Sequence, residues 1–483
     1  MSPEKVEFGL DLTATATRFR HYYEVCVGSG HAALALRADW QAHLRRCRRE
    51  LGFQYVRFHG LLNDDMSVCL GTPERPEHHF HNVDLIFDFL LDIGMRPFVE
   101  LSFMPTVLAS GTRTVFHYRG NVTPPRDFAQ WEDLVRDLVR HLAERYGREE
   151  VAQWYFEVWN EPNLEYFWAG TQEQYFELYR RSAEAIKLVD PNFRVGGPAT
   201  ARDGWVRELM DFCRSGGLPL DFVSTHHYPT DAAVAPQWDM EDQMAASPRG
   251  ILTTWVRQTR ARAGDLPLHY TEWNTSPSSR DRYHDAPYAA AFTLKTIADN
   301  DGLVDSYAFW TFSDIFEEVG FPSLPCHGGF GLLNIHGIPK PSYHAFRFLH
   351  ELGDERLPVK GGGRTVEAMA VSGGPATHVL FWNYDIPRSP IQPARVRLAI
   401  AEADEPLRAS IERVDEEHAN LEAAWRRMGR PHYLGRDQVE QLERAVAVRA
   451  ERLAVARSGE EQVVEFTLPP WGVARVTLLL AGG

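Results

Sequence analysis

Short runs dominated by apolar, β-branched and aromatic residues recur along the first 350 or so positions, and most end at a glycine, proline or acidic residue. Eight of them read as strands: YEVCVG beginning at Tyr23, QYVRFH at Gln54, RPFVEL at Arg96, WYFEVW at Trp154, RVGG at Arg194, DFVSTH at Asp221, PLHYTE at Pro267 and VDSYAFW at Val304. Between them lie stretches with apolar residues at helical spacing, such as 82–94 and 131–147, each closing on a glycine. A last helix begins near Pro341. Eight strand–helix repeats predict an α/β fold, a (β/α)₈ TIM barrel. The fifth strand is short and glycine-rich, and the start of the first helix is poorly marked.

Past about Phe346 the period changes. Segments 365–372, 377–384, 395–400, 462–469 and 473–480 alternate apolar and polar residues, as strands of an antiparallel β-sandwich do. The N-terminal KVEFGLDLT (5–13) reads as one more strand of that unit. Residues 412–429 and 436–453 are charged and helical, a helical excursion whose charged faces are expected to be solvated. The expected division is a barrel over 14–345, and an accessory sandwich from 1–13 plus 346–483.

Composition narrows the partners. The 483 residues are 44% hydrophobic and 24% charged, which suits a globular protein. A net charge of −15 argues against nucleic acid or an anionic membrane as main partner. There is no basic-then-apolar leader and no apolar run long enough to span a bilayer. The five cysteines are dispersed without CxxC pairing, which fits free thiols and a cytoplasmic location. The His78–His81 run has no companion carboxylate at ligand spacing, so no metal is expected. Phosphate-binding glycine motifs and a GxSxG elbow are both missing, so neither a nucleotide cofactor nor acyl transfer is indicated.

The chemistry concentrates in WYFEVWNEPNLEYFW (154–168), in which seven of fifteen residues are aromatic around Asn160, Glu161 and Pro162. If Trp154–Trp159 is a barrel strand, Glu161 stands at its C-terminal exit, where barrel active sites are built. Aromatic surroundings disfavour the charged carboxylate and make Glu161 a candidate general acid. Glu272 closes the seventh strand in the same way, so both carboxylates would face one mouth, the arrangement used for glycoside hydrolysis. Tyr270, two residues before Glu272, would share its face of the strand, with packing as the alternative to a catalytic place. Arg57 in the second strand would either pair with Glu272 or tie the barrel together. Trp310, Phe116 and Tyr283 are candidate pocket walls, with core packing as the alternative.

The motifs YVRFHG (55–60), FVELSFMP (98–105), EVWNEPNL (157–164), THHYP (225–229), YTEWN (270–274), FWTFSDIFEE (309–318) and HGGFGLLN (327–334) together resemble glycoside hydrolase family 39, which contains β-xylosidases and α-L-iduronidases. The resemblance covers roughly residues 20 to 350. It implies a retaining mechanism with Glu161 as acid/base and Glu272 as nucleophile. It also implies sugar contacts from His59, Asn160, His226 and Tyr228, and from Glu317 or Glu318, with His227 a bystander. Cys326 departs from the bulky apolar residue expected there. The substrate implied is a small carbohydrate, a terminal β-D-xylosyl unit of xylo-oligosaccharides. An α-L-arabinoside is a close neighbour and an iduronide is disfavoured by the scarcity of Lys and Arg in the strand-end motifs. A non-catalytic sugar-binding barrel is the reading from another class. No cofactor is implied, and a homo-oligomer stays open.

Overall fold

The computed structural model describes residues 3–401 and 406–480; residues 1–2, 402–405 and 481–483, which fall within the expected accessory unit, lie outside the described residues. Eight parallel strands close into a barrel: β1 Cys26–His31, β2 Tyr55–His59, β3 Arg96–Leu101, β4 Tyr155–Val158, β5 Arg194–Thr200, β6 Phe222–His226, β7 Leu268–Trp273 and β8 Ser306–Phe309. Each pairs with its neighbour in chain order, and β8 returns to β1 through Phe309 opposite Val27.

Helices cover the barrel because their apolar stripes match its wall. Phe128–Tyr146 buries Trp131, Leu134, Val135, Leu138 and Leu142, spaced one face of a helix apart. Asp127 caps its first turn by accepting from the Ala129 amide, and Gly147 ends it at φ 86°. The first strand begins three residues later than the apolar run, because Tyr22–Glu24 form a 3₁₀ turn. The tyrosines of that turn are tied down by bonds from Tyr22 to the Ile297 carbonyl and from Tyr23 to that of Leu349.

The rest of the chain forms two sheets packed face to face. One has five strands, in which the N-terminal Glu4–Asp11 runs parallel to Ala394–Ala401 and antiparallel to Val359–Gly361. The other has seven, centred on Val366–Gly373, Ala376–Asn383, Val473–Leu480 and Leu407–Val414. Phe8, Phe381 and Phe466 meet edge-to-face between them at 5.2 Å, the sandwich core. Two features cross the expected division. Thr17–Arg18 pairs with Glu355–Leu357 of the seven-stranded sheet. The last barrel helix, Pro341–His350, runs past 345 because Phe346, Phe348 and Leu349 pack into the barrel core.

The helical excursion is shorter than its charge pattern suggests. Residues 412–414 finish a strand paired with Val473–Leu480, leaving helices only at Leu421–Arg427 and Arg436–Ala445. Their apolar sides do not face solvent. Leu421, Trp425, Leu442 and Val446 cluster with Ile338, against which Leu324 and Cys326 also pack. The excursion therefore braces the loop that follows β8.

Candidate active site

A cavity of 330 Å³ opens at the C-terminal ends of the strands. His59 from β2, Glu161 after β4, His226 from β6, Glu272 from β7 and Trp310 after β8 line it, joined by Phe116, Tyr228 and Glu318 from the connecting loops. Tyr166, Arg202, Asp231 and Phe330 complete much of the wall. The turn out of β4 is sharp: Trp159 has φ 73° and Glu161 φ 44°. Trp159 is held by its indole bond to the Phe167 carbonyl, and the Glu161 amide donates to the Ala199 carbonyl at 2.8 Å.

The two glutamates meet here. A carboxyl oxygen of Glu161 lies within 4.8 Å of one of Glu272. Their surroundings differ. One oxygen of Glu272 is 2.9 Å from an Arg57 nitrogen, and the other accepts from the Tyr228 hydroxyl at 3.0 Å. Burial pushes its carboxyl above the usual range, but Arg57 and His59 oppose that shift. Among the described residues Glu161 has no Arg or Lys in contact. Burial, then the charges of Glu272 and Asp231, hold its carboxyl well above the usual range. Its partner is His226, whose Nδ1 is 3.0 Å away. Burial and nearby Arg57 keep that ring far below ordinary histidine basicity, so it is neutral. The pair thus divides into a carboxyl that keeps its proton and a carboxylate held by a guanidinium.

Arg57 organises the floor. Fully buried, it contacts Glu100 at 2.7 Å, Glu157 at 2.5 Å, Glu272 at 2.9 Å and the Asn160 side-chain oxygen at 2.9 Å. Both sequence alternatives for Arg57 therefore hold at once. The Asn160 amide nitrogen, buried beside Glu161, has no partner among the described residues. His59 is oriented by Glu100 at 2.8 Å and lies 4.7 Å from the Trp310 ring.

Three predicted wall or contact residues are elsewhere. Tyr270 does not share the face of Glu272. The ladder slips between Tyr270 and Trp273, so alternation breaks and Tyr270 packs outside the barrel on His227, its hydroxyl donating to Asp203 at 2.6 Å. Tyr283 packs on Tyr288 and on Trp471 from the C-terminal part of the chain. Glu317 is bound to His31 at 2.9 Å, whereas Glu318 faces the cavity with one oxygen unpartnered. Burial and the charges of Glu272 and Glu161 push the Glu318 carboxyl well up. His227 stays out of the cavity, bonded to Tyr307 at 2.5 Å.

Sequence reasoning missed Glu100, Glu157, Asp231, Arg202 and Thr271. Glu100 and Glu157 are charged residues inside otherwise apolar strands, a legible sign of a buried ion network. Asp231 and Arg202 sit in short 3₁₀ turns after β6 and β5, too short to carry a sequence period. Among the described residues, the only metal-ligating types gathered closely enough to hold an ion are Glu161, His226 and Glu272. In the His78–His81 run, His78 bonds Asp137 at 2.9 Å.

A parallel barrel with two carboxylates this close at the ends of its fourth and seventh strands defines a glycoside hydrolase. Comparison with known proteins gives the family. The model of the glycosyl hydrolases family 39 matches residues 6–462, and the chain belongs to that family. It is 49% identical to a β-xylosidase of Caldicellulosiruptor saccharolyticus, covering 95% of this chain and 96% of that one. Among solved structures it is similar to the GH39 enzyme from Xanthomonas axonopodis pv. citri, with TM-score 0.87, 34% identity and coverage of 100% and 98% of the two chains. A monomeric β-xylosidase from Caulobacter crescentus CB15 superposes with TM-score 0.87 at 31% identity, covering 98% and 99%.

Proposed function

We propose that the chain is a retaining, exo-acting β-D-xylosidase that releases xylose from the ends of xylo-oligosaccharides. The observation that carries this reading is the Glu161–Glu272 approach within 4.8 Å. Retaining glycosidases hold their carboxyls about 5–5.5 Å apart, while inverting ones leave about 6.5–9.5 Å for a water. The 49% identity to a β-xylosidase supports the glycone.

In the first step Glu272 attacks the anomeric carbon as Glu161 gives its proton to the departing oxygen. That leaves a glycosyl ester on Glu272 and a charge on Glu161. In the second, Glu161 takes a proton from water, whose oxygen displaces Glu272 and restores both groups. Asn160 offers its free amide to the sugar 2-hydroxyl, where bonds strengthen in the transition state. Glu318 and His59 are placed for the other hydroxyls. The cavity is small for a ligand site, which suits one terminal sugar. Four carboxyl groups line it (Glu161, Asp231, Glu272 and Glu318), and the one Arg or Lys among the lining residues, Arg202, is already 3.4 Å from Asp231. A uronate glycone would find no uncommitted cation among these lining residues and would face the Glu272 charge, which disfavours an iduronide.

The test is a panel of aryl β-xyloside, α-L-arabinopyranoside, α-L-arabinofuranoside and α-L-iduronide, with product anomers followed by NMR. Fastest turnover of the xyloside with β-xylose formed first is expected. Initial release of α-xylose would refute retention, and preference for another glycone would refute the substrate. No turnover of any member would favour a binding protein.

A further inference from the structure

Glu161 is connected to the barrel interior by a line of hydrogen bonds. Its Oε1 lies 3.0 Å from His226 Nδ1, and His226 Nε2 lies 3.0 Å from Thr271 Oγ1. The Thr271 hydroxyl donates to Glu157 Oε1 at 2.8 Å, and the other Glu157 oxygen accepts from Arg57 Nε at 2.5 Å. Glu157, Thr271, His226 and Arg57 are all fully buried, and neither Glu157 nor Thr271 lines the cavity.

Donor and acceptor roles are fixed from the inner end of this line. Arg57 has only donors, and the carboxylate it pairs with has only acceptors. Thr271 has one hydroxyl proton, and that proton goes to Glu157. Toward His226, Thr271 is therefore an acceptor, so the ring proton must sit on Nε2. The ring is neutral, being buried among Arg57, His59 and His227. Its Nδ1 is thus a bare lone pair, and the 3.0 Å contact with Glu161 is a hydrogen bond only when Glu161 carries the proton.

We propose that Glu157 and Thr271 are positioning residues that set the tautomer of His226 and so hold Glu161 in its proton-donating form before the sugar enters. The inference rests on Glu161 being the acid/base. It also serves the second half of the cycle. Once Glu161 has lost its proton, its charge faces the Nδ1 lone pair with no donor between them. That drives it to take a proton back from the attacking water. Glu272 and Asp231 also face Glu161 and disfavour its charge, while Arg57 and Arg202 favour it. All four remain in the variants below, so comparison with wild type isolates the tautomer.

Two readouts test this. The first is long-range ¹H–¹⁵N correlation on ring-¹⁵N-labelled protein, with His226 assigned by its loss in His226→Asn. The expected state is a proton on Nε2 at neutral pH, and the measurement needs no turnover, so it stands apart from the substrate assignment. A ring protonated on Nδ1, or on both nitrogens, overturns the proposal. The second is kinetic. Thr271→Val removes the acceptor and frees the ring to place its proton on Nδ1, where it donates to ionised Glu161. The basic limb of kcat/KM for xylobiose should move to lower pH, with about tenfold loss at the alkaline end, the worth of one hydrogen bond to a charged group. For dinitrophenyl xyloside, which needs little proton donation, kcat/KM should hold. Thr271→Ser keeps the hydroxyl and should restore the wild-type profile. A folded Thr271→Val with neither the ring proton nor the basic limb moved, or equal losses on both substrates, sinks the idea. If Thr271→Val does not fold, the wild-type ring spectrum decides alone.

Discussion

Replacing Arg57 by methionine keeps most of the side-chain volume and removes the guanidinium shared by Glu100, Glu157 and Glu272 at 2.7, 2.5 and 2.9 Å. Each carboxylate retains another donor: His59 and Ser102 for Glu100, Thr271 for Glu157 and Tyr228 for Glu272. The cost therefore stays near that of breaking one buried ion pair, about 3–5 kcal/mol, rather than three times that. Unfolding entropy near 2.1 cal/mol/K per residue gives about 1 kcal/mol/K for a chain of this size, so the Tm should fall by about 4 °C. The pH dependence carries the sharper signature. In the wild type, burial raises the Glu100 carboxyl, but Arg57 and His59 outweigh it and hold it below its ordinary value. That contributes stability above the unfolded-state pKa, lost as pH falls through the folded one. In Arg57→Met the sign reverses. Buried carboxylates without the guanidinium bind protons more tightly folded than unfolded, so stability falls as pH rises, by about 1.4 kcal/mol per pH unit for each extra proton. Calorimetric melts from about pH 5 to about pH 8 should show the deficit widening. A deficit that is constant, or that narrows toward neutral pH, would refute the ion-network reasoning.

Tyr270→Phe should lower stability by about 1 kcal/mol and cut kcat/KM for xylobiose more than for dinitrophenyl xyloside. Its hydroxyl anchors Asp203 in the turn that directly follows β5, the strand whose Ala199 carbonyl holds the Glu161 amide; equal losses on both substrates would disconnect that turn from Glu161. Glu318→Gln should reduce kcat/KM by roughly ten- to a hundredfold, because a buried ligand for sugar hydroxyls is altered, while Glu317→Gln should cost only a few-fold. Steady-state kinetics of the two variants would decide, and a larger effect at Glu317 would reverse the assignment. Trp425→Ala should destabilise the excursion by about 3 kcal/mol and expose it to limited proteolysis. Its packing beside Leu324 and Cys326 predicts a fall in kcat as well; unchanged proteolysis would mean the excursion is held by other contacts.

The barrel was legible because its strands are apolar enough to be buried on both faces and its helices carry a clean 3.6-residue stripe. Glu161 and Glu272 were legible for the opposite reason, as carboxylates at the ends of runs that otherwise exclude charge. What failed was inference by period. Tyr270 sits two residues from Glu272, and an unbroken strand would put both on one face. The slip between Tyr270 and Trp273 is set by tertiary pairing and leaves no local trace. Residues 412–414 read as helix because they lead into a charged run, yet they pair with Val473–Arg475 inside the seven-stranded sheet. Neighbouring Glu317 and Glu318 could not be told apart, since the loop after β8 has no period. It is His31, from β1 across the barrel closure, that takes Glu317 and leaves Glu318 to the cavity.

In the proposed mechanism two identical side chains on one barrel perform opposite tasks, and burial cannot be what separates them, since both are nearly inaccessible. The separation comes from what each touches. Glu272 meets donors at both oxygens, Arg57 and Tyr228, so its charge is solvated by the protein and available for attack. Glu161 meets a neutral ring whose nearer nitrogen has no proton to give. Arg57 acts on both sides of this division: directly as the counter-ion of Glu272, and through Glu157, Thr271 and His226 as the group that denies Glu161 a donor. One buried cation can therefore polarise the pair in opposite senses, because one route ends in a guanidinium nitrogen and the other in a lone pair.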